Sequence, residues 1–144
     1  MKSTHRLHVN VPIEAADEVL SAEGWLSFVP GYKGLEAGDP NWPNEGSSIV
    51  VRFGPGPLRA PWKVTVVEYQ RGRRFRTHEE GFSGLYIDDV DLTFQVDNGI
   101  STMTFVRDVT SKSVLVRILL FLIYPLRWVT MRQVRKRIQA MVQT

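Results

Sequence analysis

Four residues in the middle of this chain have the chemistry of an acid–base site: Glu79, Tyr86, Asp88 and Arg107. Each lies in a stretch whose apolar residues alternate, and period-two alternation sends successive side chains to opposite faces of a sheet. All four fall in step with the apolar set, so they are expected on the face that turns away from water. A charged group there needs a partner. Asp88 and Arg107 are the natural ion pair, with Asp88 beside Thr77 and Glu79 opposite Tyr86. Two readings follow. In one, the groups are hydrated and structural, at the mouth of a pocket. In the other, Arg107 polarises a carbonyl or holds a carboxylate, while Asp88 or Glu79, its pKa raised by burial, moves a proton.

The register behind this assignment comes from turns. Asn98-Gly99 is a two-residue hairpin signal that pairs Asp97 with Ile100, Phe94 with Met103, Leu92 with Phe105, Val90 with Arg107 and Asp88 with Val109. A turn at Gly81-Phe82-Ser83-Gly84 pairs Glu80 with Leu85, Thr77 with Asp88 and Phe75 with Val90. A tight turn at Arg71-Gly72 pairs Val66 with Thr77 and Val64 with Glu79. The outer face checks this register: Arg74 then faces Asp91, Arg76 faces Asp89 and Lys63 faces Glu80, three opposite-charge cross-strand pairs.

The same register collects an apolar wall around the polar four. It comprises Trp62, Val64, Val66, Phe75, Thr77, Val90, Leu92, Phe94, Met103 and Phe105. An apolar, aromatic surface with a few converging polar groups is the usual lining of a small-molecule site, although a filled core has the same composition. Upstream, Thr4–Val11 alternates as a strand. Pro12 opens two short helical pieces, broken at Gly24 and stopped by Pro30-Gly31; from these Trp25 and Phe28 are expected to reach the wall. Lys33–Ala37 and Ser48–Phe53 are further strands, the second with Ile49, Val51 and Phe53 inward. The expected total is about six or seven strands in an antiparallel meander with one apolar face.

Such a face needs a cover. The candidate is the last quarter of the chain, Ser111–Thr144, read as one long helix bent near Pro125. Its first half, VLVRILLFLIY, is apolar all round, which predicts contact on more than one side. Leu115, Leu119 and Leu122, with Leu126 beyond them, are expected to close the cavity. Val116, Leu120, Phe121 and Ile123 cannot point the same way; they are expected to pack under the small helices or to remain as an exposed patch.

Composition narrows the function classes. At 144 residues, 43% hydrophobic and 23% charged, the chain reads as one soluble domain spanning 1–144. The absence of Cys removes disulfides and thiolate chemistry. His5, His8 and His78 are scattered, so no metal site is expected. Gly54–Pro57 reads GPGP, whose prolines lack the N–H groups a phosphate loop uses. The N-terminus lacks a signal-peptide core, and the apolar run Val114–Leu126 is too short for a span of ~20 residues. A cytoplasmic location is the default, with peripheral membrane contact open. After Asp108 come seven cations and no carboxylate, against 11 basic and 15 acidic residues elsewhere. That end can complement a helix C-terminus, or meet anionic lipid or an acidic partner. Nucleic acid is not expected, because basic and aromatic residues do not interleave there.

Taken together, HVNVPIEAADEVL, WLSFVPGYKGLEAG, VTVVEYQRGRRFRTHEE and TMTFVRDV before an Arg-rich helix cover most of the chain. In this order they resemble the polyketide cyclase/dehydrase and lipid-transport superfamily (SRPBCC), the START-like helix-grip proteins. The resemblance implies an α+β fold: a curved antiparallel sheet wrapped round a long C-terminal helix, with two short helices after the first strand. It also implies a cavity for a small hydrophobic ligand such as a lipid, a polyketide or an aromatic metabolite, with no cofactor. The alternatives are a cyclase or dehydratase working through Asp88, Glu79, Tyr86 and Arg107, and a module docking on a membrane or a second copy through its basic helix. None of the motifs is a catalytic signature, and fold alone does not assign function.

Overall fold

Alternation along the chain becomes a seven-stranded antiparallel sheet in a computed structural model that describes residues 2–8, 20, 21, 24, 31–54, 57–98, 100–123 and 127–143. The strands are β1 (Lys2–His8), β2 (Tyr32–Ala37), β3 (Ser48–Phe53), β4 (Ala60–Gln70), β5 (Arg74–Gly81), β6 (Tyr86–Asp97) and β7 (Ile100–Thr110). Their order is β1-β7-β6-β5-β4-β3-β2, a meander with β1 returning to pair with the last strand. Two helices follow, α1 (Val114–Ile123) and α2 (Arg127–Gln143). The expected Val9–Val11 end of the first strand, Trp25 and Phe28 lie outside the described residues, as does most of the two short helical pieces.

The β6–β7 hairpin has the register its Asn98-Gly99 turn dictates, from Asp97 opposite Ile100 to Asp88 opposite Val109. Asn98 sits at φ 49, the left-handed geometry that such a turn requires. The β4–β5 pairing also places Val66 opposite Thr77, Val64 opposite Glu79 and Lys63 opposite Glu80. Beyond Val66 the register shifts by one residue, a bulge at Val67 that leaves its side chain exposed. Such a bulge bends and twists its strand, which curves the sheet.

The β5–β6 register differs from expectation by two residues. Gly81, not Glu80, closes the loop, opposite Tyr86; Thr77 faces Val90 and Phe75 faces Leu92. The cause is local. Phe82 and Ser83 both adopt left-handed backbone, at φ 53 and 57, before Gly84 at φ 82. Residues with a Cβ seldom do so, and a pattern that seats the turn on its glycines places the same four-residue loop one position too early. Because two is the period of a strand, every side chain keeps its face. Its partner changes: Glu79 faces Asp88 instead of Tyr86, Arg76 faces Asp91 and His78 faces Asp89. Arg74 still reaches Asp91 on the diagonal, at 3.1 Å and 2.7 Å.

The inner face is the core. Trp62, Val64, Val66, Phe75, Val90, Leu92, Phe94, Met103 and Phe105 are all buried, as are Ile49 and Val51 on β3. The cover is where expectation fails. Among the described residues the C-terminal region holds two helices, one on each side of the expected bend at Pro125, and the half that touches the core is α2, through Val134 and Ile138. These two stand four residues apart, on one face of the helix, and belong to one core cluster with Leu20, Phe75, Leu92 and Met103.

By contrast, Leu115, Leu119 and Leu122, expected to wall the cavity, are 68%, 51% and 66% exposed. Phe121 is exposed as well, whereas Val116 is only half-buried. The start of α1 is held at the end of the sheet, because Ser111 Oγ donates to the Leu85 carbonyl in the β5–β6 loop. Arg117 Nε donates back to Ser111 O at 2.7 Å. Leu126 lies outside the described residues.

Candidate functional site

The site grows from the two-residue shift between β5 and β6. It brings Glu79 and Asp88 into direct cross-strand opposition on the inner face, where they are 3% and 1% exposed. Two carboxylates so placed cannot both stay ionised without cations or donors nearby. Each has one. Arg107, on β7 and diagonal to Asp88, donates from Nε to Asp88 Oδ2 at 2.5 Å. Tyr32, at the start of β2, donates from its hydroxyl to Glu79 Oε1 at 2.7 Å.

Arg107 also donates from Nη2 to the Tyr86 hydroxyl at 2.9 Å. The groups expected from sequence therefore come together as two units: a chain of Asp88, Arg107 and Tyr86, and a Glu79–Tyr32 pair beside it. With Nε and Nη2 engaged, the carboxylate-clamping role expected of Arg107 is already filled from within by Asp88. Arg107 itself is only partly buried, its side chain 29% exposed against 2% for Asp88.

Burial shapes the electrostatics. It pushes the Asp88 carboxyl above its usual pKa of 3.8, while Arg107 pulls the other way through charge and hydrogen bond. Burial also pushes the Tyr86 phenol up to about 12; Arg107 opposes this and the two carboxylates reinforce it. Tyr86 therefore keeps its proton at neutral pH. For Arg107, burial works against the cation, but Asp88, Tyr86 and Glu79 outweigh it and raise its pKa.

An aromatic cluster borders these groups. Trp62 is buried between Phe53, at a centroid distance of 4.5 Å, and Tyr86, at 4.8 Å. Phe82 meets its edge at 6.3 Å from the β5–β6 loop. Tyr32 closes the row edge-on to Phe53 at 5.4 Å. Three buried polar atoms here have no hydrogen-bond partner among the described residues: Asp88 Oδ1, Thr77 Oγ1 and Trp62 Nε1. Leaving such an atom unsatisfied costs about 1–3 kcal/mol, so each is a point that can receive a polar atom from outside the chain.

Sequence reasoning missed Tyr32, Phe53 and Phe82 as members of this neighbourhood. Phe53 was legible as inward-facing, but Tyr32 opens an irregular edge strand whose register to β3 shifts twice, so no alternation marks its face. An open depression of about 520 Å³ lies on the opposite, outer face, with Arg76, His78, Asp89, Asp91 and Asp108 in its wall. Its lining does not include the Asp88–Arg107–Tyr86 chain, and its charged groups have partners in or beside it, Arg76 with Glu68 and Asp91 with Arg74. His78, for example, lies 2.7 Å from Asp89 and 3.1 Å from Glu80.

No protein-family model matches the chain, and no curated protein does. Solved structures match over nearly its whole length. Protein CV1439 from Chromobacterium violaceum aligns at a TM-score of 0.74 and 13% identity, covering 99% of this chain and 97% of that one. Ara h 8.0201 aligns at 0.73 and 10%, covering 99% and 97%. DynU16, from the dynemicin biosynthetic locus, aligns at 0.66 and 16%, covering 99% of this chain but 47% of that one. At these identities the likeness is one of fold. The chain has an α+β architecture of curved antiparallel sheet and helices, consistent with the helix grip that its sequence resembles.

Proposed function

We propose that this chain binds a small, largely apolar molecule against the inner face of the sheet, with a hydroxyl or phenol end seated at Asp88. The observation that carries this reading is the buried Asp88 Oδ1, left without a partner while Oδ2 is held by Arg107. A neutral O–H group suits it best: it can donate to Asp88 Oδ1 and accept from Thr77 Oγ1. A carboxylate end suits it poorly, because Asp88 and Glu79 already occupy the floor. The aromatic row of Phe53, Trp62 and Tyr86 supports an apolar or aromatic body. The likeness of fold to DynU16 and Ara h 8.0201 supports a ligand-binding architecture without naming a ligand or a site.

The test is native mass spectrometry of the protein purified from its own host, followed by displacement of the neutral probe N-phenyl-1-naphthylamine. A co-purifying mass, and probe binding lost in a folded Arg107→Leu variant, are expected. Unchanged probe affinity in that folded variant would sink the proposal.

An acid–base activity of the cyclase or dehydratase kind is the second reading. It is favoured by one feature: burial raises the pKa of Asp88 next to a Tyr86 phenol that stays protonated. Asp88→Asn separates the two readings. Ligand retained with turnover of a polyketide-like substrate abolished supports the enzyme; no turnover by the wild-type protein supports binding alone.

A further inference from the structure

The surface of α1 is built the wrong way round for a helix in water. Val114, Leu115, Ile118, Leu119, Phe121 and Leu122 are all between 51% and 75% exposed. At 3.6 residues per turn they cover a continuous arc of roughly 160°. The β5–β6 loop, tied to the start of α1 by the Ser111–Leu85 hydrogen bond, adds exposed Phe82 and Leu85. Immediately after α1, α2 turns Arg132, Arg135, Lys136 and Arg137 to the outside, in a stretch that has had no carboxylate since Asp108.

We infer that α1, with the tip of the β5–β6 loop, docks this protein on the surface of an anionic lipid bilayer. An apolar helix face, followed in the next helix by exposed cations that pair with no carboxylate among the described residues, matches the two layers of such a surface, acyl chains beneath and phosphate headgroups above. The helix does not cross. Ten residues rise roughly 15 Å, half the hydrocarbon thickness, and no described helix is long and apolar enough to span a membrane. A second copy fits less well, since pairing α1 with α1 brings two cationic, carboxylate-free C-terminal segments into one assembly. The inference does not depend on what the inner face binds.

Flotation of the full chain tests it, with vesicles of phosphatidylcholine alone and of phosphatidylcholine mixed with phosphatidylglycerol. The wild-type protein should float only with the mixed vesicles, and less as salt rises. Ile118→Asp/Phe121→Asp should lose flotation, and Arg135→Glu/Lys136→Glu/Arg137→Glu should weaken binding by at least about tenfold. All five side chains are exposed, so circular dichroism and the thermal midpoint should not move. Wild-type protein that stays with the unbound fraction overturns the inference. So does equal flotation on phosphatidylcholine alone, or either variant floating as the wild type does. If light scattering finds a dimer that Ile118→Asp/Phe121→Asp dissociates, while vesicles bind nothing, the face belongs to a second copy instead.

Discussion

Arg107 reaches Asp88 across a diagonal of the β6–β7 ladder and holds only one of its two carboxylate oxygens, leaving Oδ1 buried and unpartnered. This half-satisfied pair is the centre of the site. An ion pair built for stability alone would be expected to use both oxygens in the bidentate geometry that arginine favours. Here the guanidinium divides itself between Asp88 and the Tyr86 hydroxyl instead.

Removing the cation should therefore be costly in a way that removing the pair is not. Arg107→Leu strands a carboxylate that is 1% exposed, and should destabilise the protein by about 3 kcal/mol in urea unfolding. Asp88→Leu/Arg107→Leu should recover much of that loss, with a coupling of at least about 1 kcal/mol. Strictly additive effects would mean that the two side chains do not depend on each other.

Gly81 ends β5 directly under the indole of Trp62, and a Cβ built there would lie 2.1 Å from the ring. Trp62 is fixed between Phe53 and Tyr86 and cannot step aside freely. Gly81→Ala should cost about 1–3 kcal/mol through overpacking and should change the near-ultraviolet dichroism of the tryptophan.

The division of labour between the two helices predicts opposite sensitivities. Ile138 on α2 is fully buried in the core, so Ile138→Ala should cost about 2–5 kcal/mol. Leu122 on α1 is 66% exposed, and Leu122→Ala should stay within about 0.5 kcal/mol of wild type. Thermal or urea unfolding of the two variants side by side decides which helix grips the sheet.

On the outer face, His78 has its pKa raised above 6.5, chiefly by the hydrogen bond to Asp89 and then by Glu80, with burial opposing. A raised pKa means the folded state holds the proton more tightly than the unfolded chain. The resulting stabilisation is complete below pH 6.5 and is lost as pH rises through the folded-state pKa. The midpoint of wild type relative to His78→Gln should accordingly be highest in mild acid and converge at alkaline pH. A nuclear magnetic resonance titration of the imidazole checks the direction; a pKa below 6.5 would contradict it.

Sequence alone determined the faces of the sheet. Alternation is a local property with a period of two, so Asp88, Glu79, Thr77 and Arg107 belong on the apolar face even where the pairing shifts by two, and burial bears this out for the three on β5 and β6. It also determined the β6–β7 register, because Asn98-Gly99 dictates its own turn. Tertiary structure decided who meets whom on those faces. The left-handed Phe82 and Ser83 moved β6 by two residues and set Glu79 against Asp88, and Tyr32 arrived from an edge strand far away in sequence. It also decided which half of the C-terminal region covers the core. Where every position but Arg117 is apolar, as in VLVRILLFLI, hydrophobic periodicity names no face to bury. Only the anchoring at Ser111 and the prior claim of Val134 and Ile138 on the core left α1 outside.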